Sequence, residues 1–65
     1  MKTRKFAYLR VLQGRGAGSP GWEDLDSVDR SDRSVPQGYL RAQVREWRAA
    51  WPGAELRIVG RRVRT

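Results

Sequence analysis

Three groups of side chains in this sequence have types and spacings that could do chemistry. The first is acidic: Glu23, Asp24 and Asp26 stand close together beside Trp22. In an extended segment Asp24 and Asp26 share one face and Glu23 takes the other. A carboxylate pair is raw material for general acid–base work or for a divalent ion. No histidine or cysteine accompanies it, so a nucleophile–base pair and a zinc-type ligand set are both missing. The plainer reading is that Trp22 packs and that the acids are solvated or paired with arginines of the main helix.

The second group is Gly16-Ala17-Gly18-Ser19-Pro20-Gly21, a formal match to the G-x-G-x-x-G fingerprint after an expected strand. A dinucleotide site needs a helix opening at once on that turn, inside a larger βαβ domain. Here a proline sits in the motif and an acidic segment follows, so the stretch reads as a hairpin connection. A looser nest of backbone amides, assisted by Arg15, is the other reading.

The third group is basic, with twelve arginines against two lysines. Arg41, Arg45 and Arg48 recur at helical spacing, and Arg57, Arg61, Arg62 and Arg64 crowd the C-terminal segment. Lys2, Arg4 and Lys5 offer a flexible basic arm at the N-terminal end. Guanidinium groups take phosphate or carboxylate in a bidentate fork, and a stripe of them can follow a phosphate backbone. A solvated polar face and an arginine-biased coding composition are the ordinary explanations of the same pattern.

The positioning elements follow from periodicity. Leu40, Val44, Trp47 and Trp51 fall at i, i+4, i+7 and i+11, the apolar stripe of one helix within Ser34–Trp51. Ser34 with Gln37 fits a capping box, Pro36 suits the first turn, and Pro52-Gly53 stops the helix. Lys5–Gln13 reads as a strand with Phe6, Tyr8, Arg10 and Leu12 on one face and Ala7, Leu9, Val11 and Gln13 on the other. The second of these faces is expected to lie under the helix, leaving Phe6, Tyr8 and Arg10 partly open. Trp22–Val28 is a polar edge strand, and Glu55–Val63 is the third strand, with Gly60 a candidate bulge.

The expected fold is α+β: a β-β-α-β domain over residues 5–63, a three-stranded antiparallel sheet in order 2-1-3, and one helix on one face. Residues 1–4 form a basic arm and 64–65 a tail. With 65 residues the domain is marginal unless its three tryptophans or a partner help. The N-terminal segment has the charge of a signal-peptide start, but Arg10 and Gln13 interrupt its apolar run. No stretch is long enough to span a membrane, and a cytoplasmic setting is expected.

Gln13-Gly14, Gly21-Trp22-Glu23-Asp24-Leu25, Val44-Arg45-Glu46-Trp47-Arg48 ahead of Pro52, and Leu56-Arg57-Ile58-Val59-Gly60-Arg61-Arg62-Val63 together resemble a group of short uncharacterised proteins from bacteriophages and actinobacteria. Their pattern is a strand ending in Q-G, a compact glycine–aromatic turn, G-W-E-D, a helix ending in an aromatic–arginine pair, a proline, and an R-I-x-x-R-R strand. The resemblance runs from about Phe6 to Val63 and implies a phage or actinobacterial origin and the same strands and turns. It departs in the turn, where Arg15-Gly16-Ala17-Gly18-Ser19-Pro20 replaces the aromatic one, and it carries no activity.

A formal charge of +7 attracts nucleic acid, anionic membrane surface or an acidic protein. An enzyme is not expected, because little chain remains after the core to build a cavity and a rigid shell. No cofactor or metal is expected. The expected function is a basic binding module on DNA or RNA, contacting it through Arg41, Arg45, Arg48, Arg57, Arg61 and Arg62, with Tyr8 and Arg10 as part of a small stacking platform that also holds Phe6 and reaches towards Arg57. The alternative is a protein-interaction module, such as a phage-type inhibitor or adaptor, on an acidic partner. Self-association through Phe6, Tyr8 and Leu12 is a further expectation.

Overall fold

Phe6–Arg15 forms β1, the central strand of a three-stranded antiparallel sheet in a computed structural model that describes residues 5–64. The expected arm, with Lys2 and Arg4, lies outside the described residues, as does Thr65. Glu23–Asp29 forms β2 on one edge and Glu55–Arg64 forms β3 on the other, giving the order β2-β1-β3. One helix, α1 over Tyr39–Ala50, covers one face of the sheet. The chain is therefore the small α+β domain expected, with β3 continuing through Arg64.

Cross-strand register decides which face carries what. Opposite residues in an antiparallel ladder share a face. On one face Leu12 is paired with Asp26 and Ile58, and Gly14 with Leu56. On the other, Val11 is paired with Ser27 and Val59, and Gln13 with Asp24 and Arg57. The helix sits on the Leu12 face. Tyr39 donates its hydroxyl to Asp26, Leu40 lines a cleft together with Ile58 and Val28, and the Trp51 ring closes over Gly14.

This corrects the expected packing. Leu12 and Leu40 are buried on the helix side, where an open face was expected, while Val11 and Ala7 are buried on the face away from the helix. Leu9 and Val11 point away from the helix, and Val44, Trp47 and Trp51 are half-buried. The reason is Gly14. A Cβ there would stand 2.7 Å from Leu25 Cδ1, 3.0 Å from Trp51 Cζ3 and 3.1 Å from Leu56 Cδ2, so only the absence of a side chain lets the helix end approach. The tryptophans Trp47 and Trp51 meet edge to face, with centroids 6.4 Å apart.

Two local expectations also change. The irregularity in pairing falls between β1 and β2 at Leu12/Gln13, whereas the β1–β3 ladder runs unbroken past Gly60. The β2 bulge turns Asp26 to the helix face and Asp24 to the other, so the two carboxylates do not share a face. The helix starts later than the capping box implies. Asp32 accepts both the backbone N–H and the hydroxyl of Ser34, at 2.9 and 2.6 Å, and Asp29 does the same for Ser31. These Asx-type turns, from the tandem triplets Asp29-Arg30-Ser31 and Asp32-Arg33-Ser34, consume the intended cap. Gly38, at φ 84°, then opens the helix without a side-chain cap.

Candidate functional site

The helix-free face carries a polar layer spanning all three strands. Arg57 Nε donates to Gln13 Oε1 at 2.8 Å, Gln13 Nε2 donates to Asp24 Oδ1 at 2.8 Å, and Arg61 donates to both Asp24 oxygens at 2.6 and 3.1 Å. Gln13 is 6% exposed, and its two bonds settle both ends of a buried amide. Trp22 completes the layer: the guanidinium carbons of Arg15 and Arg57 lie 4.5 and 4.0 Å from its ring centroid. Arg15 is also ion-paired with Glu55.

The charges of this layer are therefore committed to one another. Hydrogen bonds from Arg61 and then from Gln13 hold the Asp24 carboxyl at about 2, below its ordinary 3.8, and the same contact raises Arg61. Asp24 pairs with Arg61 of β3, which corrects the expected pairing with helix arginines. The acids beside Trp22 are divided: Asp24 binds Arg61, while Asp26 accepts from Tyr39 and raises that phenol. Among the described residues no three Asp or Glu side chains gather into a metal-sized cluster. The glycine turn leads into β2, not a helix. Its Gly16 carbonyl accepts from Ser19 N–H at 3.0 Å, with Gly18 at φ 80° as a type II turn requires.

The remaining arginines are distributed by the helix orientation. Tyr39 reaches β2, so the flank bearing Tyr39, Gln43 and Glu46 overlies the acidic edge of the sheet. The opposite flank, with Arg41, Arg45 and Arg48, overlies the β3 edge. All three are exposed, and among the described residues none is ion-paired. Past the N-terminal end of the helix Arg62 and Arg64 leave β3 on the same side of the sheet, because they pair with Tyr8 and Phe6. The molecule thus has an acidic edge carrying Glu23, Asp24, Asp26 and Asp29 and a basic edge built from α1 and β3.

The sequence-predicted residues are sorted accordingly. Arg41 lines one cleft with Arg10; Arg45 and Arg48 follow it along the same flank of the helix, and Arg62 leaves β3 on the helix side opposite Tyr8. Arg57 and Arg61 lie under the sheet, held by Gln13, Trp22 and Asp24. Tyr8 is 52% exposed on the helix side, and its cross-strand neighbour is Arg62, not Arg57. The Arg62 guanidinium lies 4.7 Å from the Phe6 ring centroid. Gln13 escaped sequence reasoning; its position in a Q-G pair opposite an arginine and an aspartate is a signal only once the register is known.

No family model, curated protein or solved structure matches this chain. No helix among the described residues is long and apolar enough to cross a membrane.

Proposed function

We propose that this chain is a small, basic, non-enzymatic module that binds nucleic acid along the edge formed by α1 and β3. The observation that carries the reading is the segregation of charge. Arg15 and Arg61 are neutralised by carboxylates on the helix-free face, whereas Arg10, Arg41, Arg45, Arg48, Arg62 and Arg64 have no acidic partner among the described residues and share the helix side. A row of exposed guanidiniums suits a polyanion whose charges repeat along a line, although Asp29 and Asp32 line the cleft at its Arg10–Arg41 end. It does not suit a compact apolar contact, since the large apolar side chains that stand exposed are Tyr8 and Val63.

Phosphate contact of this kind supplies affinity with little sequence preference, because the arginines meet backbone and not base edges. The proposed setting is intracellular, where nucleic acid is accessible. The test is titration against duplex and single-stranded DNA and RNA at physiological ionic strength, where polyanion attraction of no consequence is screened. Affinity no better than millimolar for all of them would instead favour an acidic protein as partner.

A further inference from the structure

The helix leaves one end of the sheet bare. β1 has ten residues, roughly 33 Å at about 3.3 Å per residue, while the twelve-residue helix covers roughly 18 Å. Its C-terminal end rests on Gly14 and Gly16 through Trp51, and its N-terminal end reaches only the level of Arg10, which lines one cleft with Leu40, Arg41 and Ile58. Beyond that step, on the same side, lie Phe6 and Tyr8 of β1 and Arg62 and Arg64 of β3.

We infer that this bare end is a stacking platform for unpaired bases, which makes the preferred ligand a single-stranded nucleic acid. The inference rests on the nucleic-acid reading above and narrows it. Tyr8 presents more than half of its surface although it stands in the central strand, where a side chain is normally covered. On one side it is flanked by Arg62, already stacked on Phe6; on the other, the Arg30 N–H donates to the Tyr8 carbonyl at 2.9 Å and ends the β2 edge beside it. At this end β1 and β3 place Arg10, Arg62 and Arg64 on the helix side, and the end of β2 adds Arg30 with Asp29, a carboxylate engaged by Ser31.

An exposed aromatic ring with Arg62 on one side and Arg30 on the other, and with the neighbouring Asp29 engaged by Ser31, complements a base with its phosphates. A duplex offers only phosphates to such a platform, because its bases are stacked on one another. Arg41, at the step, extends the cationic track from the platform onto the helix flank. A single strand can therefore engage the ring and the arginine row together, and a duplex the row alone.

The experiment compares the full chain with its Tyr8→Ala and Tyr8→Phe variants in fluorescence-anisotropy titrations of a single-stranded oligonucleotide and a duplex, at about 150 mM salt. The wild type is expected to prefer the single strand. Tyr8→Ala is expected to lose roughly 5- to 150-fold on the single strand and to keep its duplex affinity, while Tyr8→Phe retains both. Tyr8 is exposed, so Tyr8→Ala should fold, and circular dichroism with the Tyr8→Phe control verifies it. Duplex binding with no preference for the single strand, or an unchanged Tyr8→Ala, overturns the inference alone. Binding to neither overturns it together with the nucleic-acid reading.

Discussion

Arg57 and Gln13 are joined across β3 and β1 by a 2.8 Å hydrogen bond from guanidinium to amide oxygen, and the same guanidinium lies 4.0 Å from the Trp22 ring centroid. One arginine is thereby fixed at two points, and a buried amide is turned so that its nitrogen faces Asp24. The helix-free face is held in this way without a second helix over it.

Replacing Gln13 by alanine should remove both bonds while leaving Arg57 and Asp24 in place. Hydrogen bonds to charged groups contribute about 1.5–3 kcal/mol each at most, and water can reach the exposed partners, so a loss of about 1–3 kcal/mol is expected in total. Urea denaturation checks it, and an unchanged midpoint would show that the layer does not contribute to stability.

Gly14→Ala should destabilise the fold by about 1–3 kcal/mol, since the added methyl meets Leu25, Trp51 and Leu56 at once. The disturbance should reach the tryptophan emission, because Trp51 must move. Thermal melting with fluorescence detection reports both effects, and a Gly14→Ala variant as stable as the parent would contradict the close approach of the helix end.

The fold class and strand order were legible because the alternating strands and the helical stripe of Leu40, Val44, Trp47 and Trp51 require only local periodicity. The choice of sheet face was not. β1 is apolar on both sides, and Ala7, Leu9 and Val11 look as suitable for burial as Leu12. What separates the faces is the cross-strand company: Gln13 lies between Asp24 and Arg57, and Leu12 lies opposite Ile58, a register no single strand reveals. The β2 bulge is hidden for the same reason, and without it Asp24 and Asp26 look like neighbours on one face. The capping box failed because Asp32 holds Ser34 in a turn of its own and the helix starts at Tyr39 behind Gly38. Of the candidate site, the arginine stripe of the helix was readable; the commitment of Arg57 and Arg61 to partners on the far face was not.

The Asp24–Arg61 pair gives a pH dependence of defined sign. The folded carboxyl titrates at about 2 and the free one at 3.8, so its contribution is complete above the ordinary value and is lost as pH falls from about 4 to 2. Both side chains are well exposed, so the effect is small and weakened by salt. Asp24→Asn should flatten the acid limb of a plot of denaturation midpoint against pH in that window. An identical limb in the variant would mean that other carboxylates control it.

The most direct measurement of the central claim is the salt dependence of nucleic-acid affinity for the wild type and for a variant with Arg41, Arg45 and Arg48 all replaced by alanine. Each phosphate neutralised releases condensed counterion, giving a log–log slope of about −0.9 per phosphate on duplex DNA and about −0.7 on a single strand. The wild type should bind more tightly than millimolar at about 150 mM salt and show a slope of several phosphates. The triple variant should weaken for every sequence tested and lose up to roughly three phosphate equivalents of slope. A wild-type slope near zero, or a triple variant with the wild-type slope and affinity, would contradict the assignment of the α1–β3 edge as the binding surface.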